Sequence, residues 1–216
     1  SGRLSAFQGV LLRENGFSTV SLGACLVYKE KTSENCLAFS QSRLMSKQKP
    51  QLIITTGRPA AGKSTLAKWL SKELGIPFFS KDNVREVLFD SLGAKDRKWA
   101  QMLGRASIDI MFYLAEMQLE AGCSVILDNS FDPSLSAPRF QTLKAKYGIE
   151  TIQIVCDSDQ ETLFSRFRER ATTGNRHQGH GDNDVLEDLR VYLGKEQSLV
   201  MDIGGTIVEV DTTDFS

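Results

Sequence analysis

One short segment determines how the rest of the chain can be interpreted, and it is Gly57-Arg58-Pro59-Ala60-Ala61-Gly62-Lys63-Ser64-Thr65. This segment is a complete G-x-x-x-x-G-K-[ST] motif. It comes directly after Leu52–Thr56, an apolar run with the composition of a buried strand, and directly before a run with helical spacing of leucines, Lys63–Leu74. A strand, a glycine-rich loop and a helix in this order are the context in which the motif binds phosphate.

The residue types in this segment suit a triphosphate site. A loop that wraps phosphates must turn its backbone N–H groups inward, which requires glycine where a side chain would collide or φ is unusual. Lys63 then reaches the β- and γ-phosphates, the hydroxyl of Ser64 ligates Mg²⁺, and the N-terminus of the following helix adds partial positive charge. We therefore predict that every residue of Gly57–Thr65 contacts the nucleotide and that Lys63 also takes part in catalysis. A glycine-rich turn with an incidental Lys-Ser pair is the alternative, and the motif alone does not separate a kinase from a GTPase or a motor.

From residue 50 onward, short β-rich runs alternate with longer helical ones, which is typical of a parallel sheet covered by helices. The predicted strands are Leu52–Thr56, Phe78–Phe79, Ser124–Asp128, Thr151–Cys156 and Thr206–Asp211. The predicted helices are Lys63–Leu74, Asp82–Leu92, Lys98–Glu120, Ser136–Tyr147 and Gln160–Thr172. The pattern predicts an α/β fold with a five-stranded sheet.

Amino-acid composition and net charge exclude several classes of protein. The chain has 216 residues, of which 41% are hydrophobic and 25% charged, and this suits one compact domain and excludes overall disorder. The net charge of −1 provides no global positive field for a nucleic-acid backbone. The four cysteines form no C-x-x-C pair, and no apolar run is long enough to cross a bilayer, so we expect a cytoplasmic protein without a membrane partner.

Residues 1–49 differ from the rest of the chain because they are Ser-rich and weakly patterned. We predict that they are an appended or poorly ordered extension in front of a domain at residues 50–216. A Ser-rich targeting peptide is the alternative, and Glu14, Glu30 and Glu34 count against it.

A second group of candidate residues opens the helix after the second strand. Asp82 and Arg85 are three residues apart and share a helix face, which puts a carboxylate and a guanidinium together at a helix N-terminus. In phosphoryl transfer the carboxylate can accept the proton of an attacking hydroxyl, and the arginine can position the acceptor. The alternative is a capping aspartate beside a solvated arginine.

Two further sets of charged residues follow along the chain. Asp128 ends an apolar strand, where a carboxylate can orient Mg²⁺ or its waters, although it can also simply form a turn. Arg166 and Arg170 are one helical turn apart and can converge on one phosphate chain, with a glycine-rich stretch behind them that predicts a lid near residues 166–182. An exposed basic helix with a loop is the other interpretation.

These segments, in this order, resemble the P-loop kinase branch that includes the polynucleotide 5′-hydroxyl kinases, the zeta-toxin-like kinases, chloramphenicol phosphotransferase and AAA-type predicted kinases. The resemblance covers about residues 50–212. It implies the P-loop NTPase three-layer α/β/α sandwich with a helical lid, and ATP and Mg²⁺ as ligands. It also implies that Asp82 is the general base, Arg85 a ligand of the acceptor or its phosphate, and Arg170, with Arg166, a lid arginine that contacts ATP phosphates.

The leading hypothesis is therefore a kinase that transfers the γ-phosphate of ATP to a hydroxyl of a small molecule. A polynucleotide 5′-hydroxyl kinase remains open as a less favoured alternative, and so does a nucleotide-dependent switch without acceptor chemistry. Acceptor specificity is expected from pocket residues that carry no motif, such as Trp99, Met102, Phe112 and Phe131. The oligomeric state has no signal in the sequence.

Overall fold

The computed structural model describes residues 49–173, 177, 186–194 and 198–214, without the side chains of 186–188. The predicted N-terminal extension therefore lies outside the described residues apart from Lys49. Of the predicted lid, residues 174–176 and 178–182 also lie outside them.

The predicted alternation of strands and helices is present in the described part of the chain. The elements are β1 (Gln51–Gly57), α1 (Lys63–Leu74), β2 (Phe78–Ser80), α2 (Lys81–Leu92), α3 (Arg97–Glu120), β3 (Val125–Asp128), α4 (Pro133–Tyr147), β4 (Glu150–Asp157), α5 (Gln160–Thr172), α6 (Leu186–Leu193) and β5 (Thr206–Asp211). Each predicted element is found, with its ends shifted by at most three residues, whereas α6 was not predicted. No helix in the described ranges is long and apolar enough to cross a membrane.

The ends of the helices follow from local side-chain and backbone chemistry. α3 begins after Asp96, whose carboxylate accepts a hydrogen bond from the backbone N–H of Trp99, and α4 begins after Asp132, which caps its first turn in the same way. α1 ends at Gly75, which has a left-handed backbone that other residues adopt only at a cost. The capping aspartates and the terminal glycine therefore set where these helices begin and end.

All five strands are parallel, and their order across the sheet is β2-β3-β1-β4-β5. β1 lies at the centre, with Thr55 in register with Asp128 of β3 and Gly57 in register with Cys156 of β4. Because the strands are parallel, their carboxyl ends share one edge of the sheet. The loop after β1 therefore leaves the sheet between the ends of β3 and β4.

The two faces of the sheet are covered by different helices. Leu52 and Ile54 of β1 belong to the core that α3 and α4 cover, whereas Ile53 belongs to the core under α1, α5 and α6. This alternation follows from the two-residue side-chain period of a strand. The predicted three-layer α/β/α arrangement with a parallel five-stranded sheet is confirmed.

Candidate active site

The loop after β1 has a backbone that depends on glycine at its entrance. Gly57 has φ +140°, and a Cβ atom there would overlap the carbonyl oxygen of Cys156 on β4. Gly62, just before α1, has φ +73°, and Ala60 has φ +63°, a strained value for a residue with a side chain. The Ala61 N–H donates to the Arg58 carbonyl at 3.3 Å. The chain thus makes a tight turn that ends on the N-terminus of α1, where N–H groups and the helix dipole favour anions.

Lys63 is the most strongly perturbed ionisable group of this loop. Its side chain is buried, and Nζ donates to the Arg58 carbonyl at 2.7 Å. Burial lowers its pKa below the usual 10.5, the charges of Asp128 and Asp82 oppose this shift, and that of Arg170 adds to it. The charges of these three predicted site residues therefore act on the amine of Lys63.

A carboxylate and two hydroxyls lie together at the end of β3. Asp128 is almost fully buried, and its Oδ2 accepts from Ser64 Oγ at 2.6 Å while its Oδ1 accepts from Thr55 Oγ1 at 3.0 Å. Carboxylate and hydroxyl oxygens are donors that suit Mg²⁺, which usually keeps several waters and takes few protein ligands. The two predicted metal ligands, Ser64 and Asp128, are therefore within hydrogen-bonding distance of each other and fit the ion.

α2 starts at the same sheet edge. Ser80, the last residue of β2, pairs in register with Asp128, so the first turn of α2 follows immediately beside the end of β3. Asp82 lies in that first turn and is half-buried. Arg85 follows one turn later and is also half-buried. The predicted acid and arginine are thus on the helix that begins next to the predicted metal ligands.

The two predicted lid arginines differ in what they contact. The guanidinium carbon of Arg170 lies over the Phe167 ring, 4.9 Å from the ring centroid. The charge of Arg170 contributes to the lowered pKa of Lys63. Arg166 instead donates from Nη2 to the carbonyls of Thr212 and Thr213, at 2.9 and 3.1 Å, just after β5. Arg166 therefore ties α5 to the end of β5 in this structure.

The other loop residues that were predicted to contact the nucleotide differ in where their side chains lie. The side chain of Arg58 points to the end of β4, where it pairs with Asp157, and its carbonyl accepts from Lys63 Nζ. Pro59 is half-buried. The side chain of Thr65 is exposed on the first turn of α1, and its N–H donates to the Gly62 carbonyl at 3.1 Å. The guanidinium of Arg58 is therefore held by the end of β4 in this structure.

The residues expected to shape the acceptor pocket do not form one group. Phe112 and Phe131 are buried in the core under α3 and α4, with ring centroids 6.4 Å apart. Trp99 Nε1 donates to the Gly93 carbonyl in the connection between α2 and α3, and Met102 is half exposed on α3. Phe112 and Phe131 stabilise the core instead of offering an open surface.

Sequence reasoning missed two residues that support the site. Thr55 holds the second oxygen of Asp128, and Asp157 holds Arg58. Thr55 is a polar residue inside an apolar run, which is a usable signal, but its pairing with Asp128 depends on strand order. Asp157 ends a strand as Asp128 does, so the same rule of carboxylates at strand ends could have found it.

A phosphate loop between β1 and α1 and a carboxylate at the end of β3, on a parallel sheet with helices on both faces, define a P-loop kinase-like protein. The chain belongs to the AAA domain family, whose model (AAA_33) matches residues 52–193. Proteins with this fold generally bind a nucleotide with Mg²⁺.

Solved structures give the same class. The chain is similar to a candidate kinase from Chloroflexus aurantiacus J-10-fl, with 37% identity and a TM-score of 0.72 over 77% of this chain and 90% of that one. A sugar kinase from Janibacter sp. HTCC2649 has 12% identity and a TM-score of 0.45 over 76% and 86% of the two chains. The Pnkp1/Rnl/Hen1 RNA repair complex has 18% identity and a TM-score of 0.47 over 73% and 49%. The last two are too distant to inform the substrate, and no curated protein matches this chain significantly.

Proposed function

We propose that this protein is an ATP-dependent phosphotransferase that moves the γ-phosphate of ATP to a hydroxyl of a small molecule. One observation carries the proposal: Ser64, at the end of the phosphate loop, donates to Asp128 at 2.6 Å, and the helix that carries Asp82 begins beside the same strand end. A site for nucleotide binding alone needs the loop and its lysine. A second carboxylate on the neighbouring helix and an arginine on a third element are what phosphoryl transfer adds.

Each group has a role that follows from its position. The N–H groups of the loop and the ammonium of Lys63 hold the phosphates, and the charge of Arg170 offsets the negative charge that spreads over the transferred group. Ser64 and Asp128 are the residues that would hold Mg²⁺, which when bound neutralises phosphate charge. These groups would hold the triphosphate at the edge of the sheet where α2 begins.

Asp82 supplies the proton acceptor. An acceptor hydroxyl within hydrogen-bonding distance of Asp82 gives its proton to the carboxylate as its oxygen forms a bond to the γ-phosphorus. The bond from that phosphorus to the bridging oxygen breaks, and ADP leaves with the electron pair. The net charge of −1 favours a small acceptor over a polynucleotide, whose backbone needs a positive surface.

The substitution Asp82→Asn tests this assignment because it keeps the size of the side chain and removes its basicity. ADP release from ATP should rise when the right hydroxyl compound from a panel is added, and this stimulated rate should fall about 100-fold or more in Asp82→Asn while ATP still binds. The matched control is Asp109→Asn, an exposed residue of α3 paired with Arg139, which should change nothing.

Other outcomes separate the remaining functions. Unchanged stimulated turnover in Asp82→Asn removes this residue from the mechanism. Efficient end-labelling of 5′-hydroxyl oligonucleotides identifies a polynucleotide acceptor, whereas tight ATP binding without turnover on any hydroxyl identifies a switch. No heat on titration with ATP contradicts the whole proposal.

A further inference from the structure

Arg58 makes an unusually complete set of side-chain hydrogen bonds for a residue of a phosphate loop. Its Nε and Nη2 donate to the two carboxylate oxygens of Asp157 at 2.7 and 3.0 Å, which is the bidentate geometry of a guanidinium and a carboxylate. Nη2 also donates to the Ser158 carbonyl at 2.6 Å, and Nη1 donates to the Leu193 carbonyl at 3.3 Å. All three nitrogens of the guanidinium are therefore engaged with acceptors at the rim of the sheet.

These acceptors come from three residues that are distant from Arg58 in sequence, and Ser158 directly follows β4. Asp157 is the last residue of β4, and Leu193 is the last residue of α6. A carbonyl in the last turn of a helix has no partner within the helix, and a cation near it is favoured by the helix dipole. A single side chain thus joins the phosphate loop to the end of the neighbouring strand and to the C-terminus of α6.

The backbone of the same residue organises the loop itself. The carbonyl of Arg58 accepts from the Ala61 N–H at 3.3 Å, which closes the turn, and from Lys63 Nζ at 2.7 Å. Because Pro59 follows, the backbone torsions of Arg58 are already restricted, and anchoring the side chain and Cα of Arg58 further limits the direction in which this carbonyl points. The anchored side chain therefore constrains both the turn and the lysine.

We propose that Arg58 and Asp157 form a positioning pair, which holds the phosphate loop in its anion-binding shape through the backbone instead of contacting phosphate through the guanidinium. The proposal rests on the nucleotide-binding part of the proposed function. A direct phosphate contact would require the guanidinium to leave a bidentate partner and two carbonyls. A loop that is already shaped before binding loses less conformational entropy on binding, which raises affinity.

A double-mutant cycle measured by ATP titration calorimetry tests the pair. Arg58→Ala and Asp157→Ala should each weaken ATP binding about tenfold, and the double variant should bind about as weakly as either single one, because both remove the same constraint. The matched control is the ion pair Arg139–Asp109 on α4 and α3, whose alanine variants should leave ATP affinity unchanged. Unaltered affinity in the single variants, or losses that add in the double variant, would overturn the proposal.

Conservative replacement and hydrogen exchange distinguish positioning from general stability. Arg58→Lys keeps the charge but lacks the fork, so it should fail to restore affinity. In the nucleotide-free protein, exchange of the amides of residues 58 and 60–63 should accelerate in Asp157→Ala, with exchange in β3 and α4 unchanged. Equal acceleration everywhere, or none in the loop, contradicts positioning. This measurement needs no nucleotide, so it decides the question even if the wild-type protein binds no ATP and the proposed function fails.

Discussion

Burial makes the charged form of the Lys63 amine less favourable than it is in water and so lowers its pKa, although the expected ligand of this amine is an anion. Burial lowers its pKa below 10.5, and the nearby carboxylates of Asp128 and Asp82 only partly offset this effect. Phosphate oxygens placed against the amine would favour the ammonium form and raise the pKa again. Nucleotide binding is therefore linked to proton binding at this side chain.

The first prediction is that ATP binding takes up a proton at pH values between the lowered pKa of free Lys63 and its higher pKa in the complex. Affinity should fall as pH rises through this window, because more of the free protein is then neutral at Lys63. Calorimetry in buffers of different ionisation enthalpy measures the proton uptake, which should disappear in Lys63→Met. Lys68→Met, an exposed residue of the same helix, is the control and should keep it. Proton uptake that persists in Lys63→Met assigns it to another group.

The lowered pKa of Lys63 also makes the free energy of unfolding depend on pH. The unfolded chain, with an ordinary lysine, binds more protons than the folded protein between the lowered pKa and 10.5, so this residue makes the free energy of unfolding rise with pH in that window.

At the residue scale, the sequence predicted which residues lie at the site better than it predicted where their side chains point. The motif required glycine at Gly57 and a lysine and hydroxyl after Gly62, and the backbone angles and the Ser64–Asp128 contact agree with that requirement. Arg58 was predicted to contact the nucleotide as part of the motif, and Arg166 because it lies one turn before Arg170. In this structure their side chains pair with acceptors on β4 and after β5. A guanidinium turns to the nearest good acceptors, and these come from distant parts of the chain that no local pattern reveals.

At the scale of elements, a buried glutamine joins β4 to the segment before β5. Gln153 is fully buried, and its side-chain amide forms a reciprocal pair with Met201, donating to the carbonyl at 2.8 Å and accepting from the N–H at 2.9 Å. The segment thus gains two hydrogen bonds that resemble a strand pairing. Met201 and Ile203 can then cover the core under α3 and α4.

We predict that Gln153→Leu strongly destabilises the protein. The substitution removes the acceptor of the buried Met201 N–H, at a cost of about 1–3 kcal/mol. The Met201 carbonyl also loses a donor and keeps the Ile203 N–H at 3.0 Å. Urea unfolding measures the loss. Gln141→Leu is the matched control, since this exposed glutamine bonds the neighbouring Asp202 carbonyl and should cost less than about 0.5 kcal/mol. Equal losses in the two variants would show that Gln153 has no special role.

Elements with strong periodicity were predictable, and α6 shows the limit. The bounds of long amphipathic helices such as α3 and α5 could be predicted, because the apolar spacing and the capping residues indicated the same ends. α6 is short and follows a glycine- and aspartate-rich stretch, and its buried Leu189 and Leu193 reach the core only once β4 and β5 are paired. A short helix of this kind gains its stability from tertiary packing and not from its own sequence.

For the molecule as a whole, strand order decides what the site contains. The order β2-β3-β1-β4-β5 places the phosphate loop between Asp128 at the end of β3 and Asp157 at the end of β4. The chain leaves β1 toward β2 on one side and later crosses to β4 on the other, and ligands of open α/β sheets bind at such a reversal. Periodicity predicted five parallel strands but not their order, since each strand pattern fits several positions in a sheet.

The strand order also predicts which strands of the sheet open locally in solution. β1 is paired on both sides and buried between two helical layers. Within the described part of the chain β5 is paired with β4 alone, and its Ile207 is about half exposed. Hydrogen exchange followed by mass spectrometry should therefore find that the amides of β1 exchange only through global unfolding, while those of β5 exchange faster through local opening. β2, at the opposite edge, provides the comparison and should also exchange faster than β1. If β5 is protected as strongly as β1, an element beyond the described residues covers that edge, and β5 is not a free border of the sheet.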